Sequence, residues 1–394
     1  MERRQFLMAL AASGALAMCP GLALAKVSAG SAPVNRVKRL VWLSLRGGMD
    51  GLNVVVPVGD RHYAQLRPSL ALANNELLPL DNFFALNASL PVLHTWFTDR
   101  QLAWVHACAT PYRDRSHFDG QKVMENGTAD PFFATGWLNR LLLLDRQRQG
   151  IAIDAGLPLI MQGEAQPLSW YPNRLKLRDR QARLIGQMLV ADEQLASNFA
   201  QAIKVEQMAG SAKLNREFTA LAAKAGEFLS QPGGANIAAL ELGGWDTHAD
   251  QAGRLKRQLQ LLDEGLAALK TSLGEHWQDT VVIAASEFGR TAAQNGTKGT
   301  DHGTANVVLL AGGAVNGGQV LADWPGLGAA ELYQGRDLAP TTDLRAVIKG
   351  VLAAHLGLGL AELQQVFPGS ESIVPLPGLV RRSSVENTPQ HLLT

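Results

Sequence analysis

Cysteine is nearly absent: the 394 residues hold two, Cys19 and Cys108. Cys19 lies in an N-terminal segment that is expected to be removed. Only Cys108 then survives, and no internal disulfide can staple the fold, even in an oxidising compartment. Within Ala103-Trp104-Val105-His106-Ala107-Cys108-Ala109 it reads as a buried small hydrophobe. An excess of either charge is missing too. Lys and Arg number 36 against 35 Asp and Glu, and no basic cluster carries interleaved aromatics, which argues against a nucleic-acid partner. Beyond the first 25 residues no apolar run approaches the roughly 20 residues that a bilayer needs, so no membrane span is expected in the mature chain. No internal repeat is visible.

What the N-terminus does have is an export signal. Arg3-Arg4-Gln5-Phe6-Leu7 places twin arginines ahead of an apolar run from Met8 to Leu24, and Ala23-Leu24-Ala25 supplies a small-x-small cleavage pattern. Pro20 and Gly21 interrupt the run, which fits a membrane anchor less well. Met18 stands where a lipid anchor on Cys19 would want a small residue. The expectation is a twin-arginine signal peptide over 1–25, a Ser/Ala/Gly/Pro leader over 26–37 and a periplasmic or secreted destination. One α/β domain over 38–380 follows, then a Ser/Pro/Arg-rich surface tail over 381–394.

The informative pattern along the domain is a buried strand that ends in a polar or glycine-rich turn. Continuous β-branched and small apolar runs mark central parallel strands. Ligands in open α/β sheets sit outside the carboxyl ends of such strands. Arg39–Leu45 leads into Arg46-Gly47-Gly48-Met49-Asp50-Gly51, where Asp50 is either a metal ligand or an Asp-Gly turn. Gln101–Ala109 leads to Arg115-Ser116-His117-Phe118. Ser116 can cap the helix that starts there, or use the positive end of its dipole in chemistry, and His117 can carry a proton or decorate the cap. Asn236–Leu242 leads to Gly243-Gly244-Trp245-Asp246-Thr247-His248, a carboxylate and an imidazole suited to zinc or a similar divalent ion. Thr280–Ala285 runs into Ser286-Glu287-Phe288-Gly289-Arg290, with Asp301-His302 close behind.

Between these strands, 128–180 looks irregular, with Leu157–Met161 as a short strand. The stretch at about 183–229 has helical apolar spacing, as does the leucine ladder Leu255, Leu259, Leu262, Leu266, Leu269 and Leu273, a helix expected to cover the sheet. Ala305–Ala311 is a further strand, Gly317–Val320 a hairpin or edge segment, and Asp343 caps a helix that ends at Gly357.

Together the motifs around Asp50, Ser116, Asp246-Thr247-His248, Glu287 and Asp301-His302 resemble the twin-arginine-exported bacterial family called domain of unknown function 1501, from about Lys38 to Leu363. That family is in turn similar to the alkaline phosphatase and sulfatase superfamily. The resemblance implies a three-layer α/β/α sandwich with a mainly parallel central sheet and one or two divalent ions, zinc foremost, at its carboxyl end. It implies Asp50, Asp246, His248, Glu287 and His302 as ligands and Ser116 as nucleophile, and Asp301 beside His302 is a further metal-capable side chain. The chain departs from the superfamily pattern twice: Asp246 and His248 are two rather than four residues apart, and Phe288 stands where a histidine commonly follows the later acid. Either Asp301 compensates or the site holds one ion.

The function expected is a metal-dependent hydrolase of phosphate or sulfate esters, with Ser116 attacking, His117 moving a proton and Arg290 or Arg46 steadying the ester oxygens. The competing expectation is a binding or assembly protein of the cell envelope with a degenerate site on the same fold.

Overall fold

The computed structural model describes residues 37–172, 179–209 and 217–381. The expected signal peptide and almost all of the leader and of the tail lie outside these residues. The strands are β1 (Arg39–Arg46), β2 (Val55–Val56), β3 (Leu77–Pro79), β4 (Ala85–Asn87), β5 (Leu102–Ala109), β6 (Gly150–Ile153), β7 (Leu168–Trp170), β8 (Ile237–Gly243), β9 (Thr280–Ala285), β10 (Asn306–Ala311), β11 (Gln319–Leu321) and β12 (Thr342–Asp343).

β1 fixes the centre of the sheet because its side chains alternate between two cores. Val41, Leu43 and Leu45 enter one apolar cluster, whereas Leu40 and Trp42 enter the other. Helices Gln251–Leu273 and Phe218–Ser230 feed the first, and helices Trp137–Leu143 and Leu344–Leu356 the second. With both faces covered, the fold is a three-layer α/β/α sandwich. The main sheet runs β11-β5-β10-β9-β1-β8-β6-β7, with β12 pairing β5. β9, β1, β8, β6 and β7 are mutually parallel, and β10 is antiparallel to both of its neighbours. A small antiparallel sheet, β2-β4-β3, stands apart.

The long buried strands fall where hydrophobic patterning puts them, and so does the leucine-ladder helix, whose six leucines are all buried. Asp343 caps its helix by accepting from Arg345 N, and Gly357 ends it at a φ of 74°. β11 forms an edge strand on β5. The stretch 128–180 differs from expectation. It contains the helix Trp137–Leu143 and the strands β6 and β7, and Leu159–Met161 is a single 3-10 turn rather than a strand. β6 and β7 have only four and three residues, too few to generate a periodic signal, and neighbouring strands supply the order that their sequence does not announce.

Candidate metal centre

The carboxyl ends of β1, β8 and β9 meet at Arg290. This guanidinium is buried and donates to Gly48 O, Gly47 O, Thr300 O, Trp245 O and Asp246 Oδ1 at 2.6–3.0 Å. It therefore ties the turn after β1 to the turn after β8 and to the return loop before His302. An antiparallel bridge between Arg290 and His302 completes the arrangement. Gly47 makes the close approach possible, since at its φ of 123° a Cβ would lie 2.7 Å from Asp246 N.

These constraints aim three imidazoles at one carboxylate. His248 Nε2 and His302 Nε2 lie 2.9 and 3.2 Å from Asp246 Oδ1, and His117 Nε2 lies 3.5 Å from Asp246 Oδ2. The two facing nitrogens of His248 and His302 are 3.0 Å apart. Two ligands on a tetrahedral ion at 2.0–2.1 Å sit about 3.3 Å apart. His117, Asp246 and His302 each offer an atom within 4.8 Å of the others.

The opposite ring nitrogens are all engaged. His117 Nδ1 meets Glu287 Oε1 at 2.8 Å, His248 Nδ1 meets Asp301 Oδ1 at 3.2 Å, and His302 Nδ1 meets Arg115 O at 3.0 Å. Each partner is an acceptor that can take a proton from Nδ1, and each Nε2 faces Asp246. Metal-ligating histidines are oriented this way. His117 Nε2 is moreover buried and has no hydrogen-bond partner, an uncompensated polar atom that a cation would satisfy. The donor set thus fits zinc or a similar ion.

Electrostatics follow from the same contacts. The Glu287 hydrogen bond raises the pKa of His117, more than burial lowers it. Burial, the charge of His117 and that of Arg290 lower His302. Burial would raise Asp246, but the Arg290 hydrogen bond and charge outweigh it and hold the carboxyl below its ordinary range. Glu287 is buried, yet hydrogen bonds from His117 and Gln121 keep it ionised. Phe288 packs its ring 4.8 Å from His117 and 5.0 Å from His302 as an apolar floor. Asp246 itself is 45% exposed, so the centre opens to solvent.

Of the expected site residues, His117, Asp246, His248 and His302 come together, with Glu287 at Nδ1 of His117 and Asp301 at Nδ1 of His248. Asp50 is not in the cluster. It is buried in a bidentate pair with Arg67, itself fully buried, and also accepts from Gln251 Nε2. Arg290 has its donors turned to backbone and Asp246, and Arg46 ion-pairs with Glu125 and Glu241. Ser116 is the half-buried N-cap residue of helix His117–Asn126 and makes no side-chain capping bond. Sequence reasoning missed Arg67, which no motif marks, because its partner Asp50 is seventeen positions away across a turn.

The family model described as "Protein of unknown function (DUF1501)" matches residues 108–367. The chain belongs to the DUF1501 family. No curated protein matches it. Among solved structures, this DUF1501 protein is similar to the zinc complex of the C-terminal periplasmic domain of EptC from Escherichia coli. The identity there is 10%, with 71% of this chain and 73% of that one covered at a TM-score of 0.35. It is also similar to a TAB5 alkaline phosphatase mutant with magnesium bound (12% identity, 73% and 94% covered, TM-score 0.37). A third is the lipoteichoic acid synthase LtaP from Listeria monocytogenes (11% identity, 73% and 69% covered, TM-score 0.36). No helix among the described residues is long and apolar enough to cross a membrane.

Proposed function

We propose that the chain is an exported, metal-dependent hydrolase of small phosphate or sulfate esters, built around one divalent ion, with zinc favoured by the donor set. The observation that carries this reading is the buried, unpartnered Nε2 of His117, held beside Asp246 and His302 while Glu287 engages its Nδ1. When bound, the ion supplies positive charge for an ester oxygen and acidifies a neighbouring hydroxyl.

The chain's own residues provide the rest. Arg115, immediately before Ser116, holds a φ of 60°, which is uncommon outside glycine. Its side chain is pinned by buried Asp337 and its carbonyl by His302 Nδ1, which fixes the Ser116 turn to the metal centre. Because Ser116 makes no capping bond, the first amides of the helix behind it have no side-chain acceptor there and favour an anion. Ser116 is accordingly assigned as nucleophile, and Glu287 and Asp301 as groups that hold the imidazole tautomers. Export by the twin-arginine route is inferred from Arg3 and Arg4.

A second reading, a binding or assembly protein of the cell envelope, is favoured by one observation: Arg46 and Arg290 are both committed to internal partners. The test is a screen of phosphate and sulfate mono- and diesters with zinc-replete protein. Turnover by wild type, with Ser116→Ala losing several orders of magnitude at unchanged zinc content, supports the hydrolase. Equal activity of Ser116→Ala removes the serine from the chemistry, and zinc binding without turnover selects the second reading.

A further inference from the structure

Gln251 opens the leucine-ladder helix Gln251–Leu273 and is fully buried, so both ends of its amide must find partners inside the protein. At one end Nε2 donates to Asp50 Oδ2. An acceptor stands there, so the nitrogen faces it and Oε1 is turned the other way. On that side Oε1 accepts from two threonine hydroxyls, Thr247 Oγ1 at 2.9 Å and Thr300 Oγ1 at 2.6 Å. Both threonines are buried, and neither hydroxyl has a second partner among the described residues.

Thr247 lies between Asp246 and His248, and Thr300 immediately precedes Asp301 and His302. One buried oxygen thus joins the turn that carries His248 to the loop that carries His302. The main chains run close beside it: Thr300 N donates to Thr247 O at 3.2 Å, and a Cβ on Gly299 would lie 2.2 Å from His248 O. Arg290 ties Thr300 O to Trp245 O and Asp246, and Gln251 adds the tie on the His248 side of that turn. The helix that carries Gln251 is a firm base, since its leucines are buried in the core.

The facing nitrogens of His248 and His302 are 3.0 Å apart on side chains 45% and 25% exposed. Neither ring is enclosed by protein on all sides, so their separation follows that of the two segments behind them. We propose that Gln251 is a positioning residue of the metal centre. By taking both threonine hydroxyls, its Oε1 sets how far His248 stands from His302 and hence how well the pair holds one ion. This role rests on the metal centre proposed above and is read in metal binding, so it does not depend on ester turnover.

Valine has the shape of threonine without the hydroxyl, so Thr300→Val removes one donor to Gln251 and little else. Zinc affinity of the folded variant, measured by chelator competition, is expected to fall about tenfold. The visible absorption of the cobalt-loaded variant, which reports ligand geometry, should differ from that of wild type. Thr300→Ser restores the hydroxyl and should bind zinc as wild type does. Thr247→Val and Thr247→Ser repeat the comparison from the other turn and decide it if Thr300→Val does not fold. Hydroxyls that served stability alone would lower the urea midpoint of the valine variants and leave zinc affinity and the cobalt spectrum unmoved, which overturns the proposal. A serine variant as weak as its valine counterpart overturns it too. Weaker zinc binding by the valine variants alone supports it even where no ester is turned over, and a wild type that binds no zinc removes the metal centre and this role together.

Discussion

At the scale of single residues, the site is governed by which nitrogen of each histidine is left facing Asp246. Glu287 accepts from His117 Nδ1 from a buried position where Gly47 N and Ser286 Oγ also donate to it, so its own orientation is fixed. Glu287→Gln keeps the shape but offers an amide in place of a carboxylate. Zinc affinity, measured by chelator competition, is expected to fall about 10–100-fold with little change in fold. An unchanged affinity would show that the tautomer of His117 does not matter. Asp50 makes the opposite case. Its carboxylate neutralises the fully buried Arg67, so Asp50→Asn leaves a buried guanidinium uncompensated. It should cost about 3–5 kcal/mol in urea unfolding while zinc affinity in the folded protein stays near wild type. Loss of zinc without loss of stability would return Asp50 to the ligand set.

At the scale of elements, the centre exists because three strand ends and one helix start are held at fixed separations. The turn after β1 is the tightest joint. Gly47→Ala would place a methyl 2.7 Å from Asp246 N at a φ that L residues rarely adopt. Backbone must then move, and Asp246 with it. A loss of about 1–3 kcal/mol is expected, together with weaker zinc binding. Normal zinc affinity in Gly47→Ala would show that the turn after β1 does not position Asp246. The motifs at these strand ends were legible because a buried strand prints a long apolar run, and the residue that breaks the run stands at the carboxyl edge. Which carboxylate stands against which imidazole was not legible, since Glu287 and Asp301 reach His117 and His248 only across the fold.

For the whole molecule, two buried histidines outside the site make stability depend on pH. His106 and His355 are held neutral by burial, each with its pKa lowered from 6.5 to about 4. Their folded values lie below the unfolded one, so between pH 6.5 and 4 the unfolded chain binds protons that the folded chain refuses. The stability they allow is present above pH 6.5 and is lost as pH falls, by roughly 2 kcal/mol each at pH 5. The drop in urea midpoint from pH 7.5 to 5 should be smaller in His355→Gln than in wild type, and an equal drop would clear His355. Export belongs to this scale as well. Replacing Arg3 and Arg4 together by Lys should retain the precursor in the cytoplasm, and a normal periplasmic yield would point to the general secretory route.

The amino-acid sequence by itself determined the α/β class, the long central strands and the neighbourhood of the site, because these follow from local periodicity and from where apolar runs stop. Only the tertiary structure decided that His117 faces Asp246, that Glu287 and Asp301 stand behind the imidazoles, and that Asp50 is closed off by Arg67. Those outcomes depend on distances between residues up to 170 positions apart. Such distances are set when two apolar faces of one sheet are packed at once, and no window of neighbouring residues contains them.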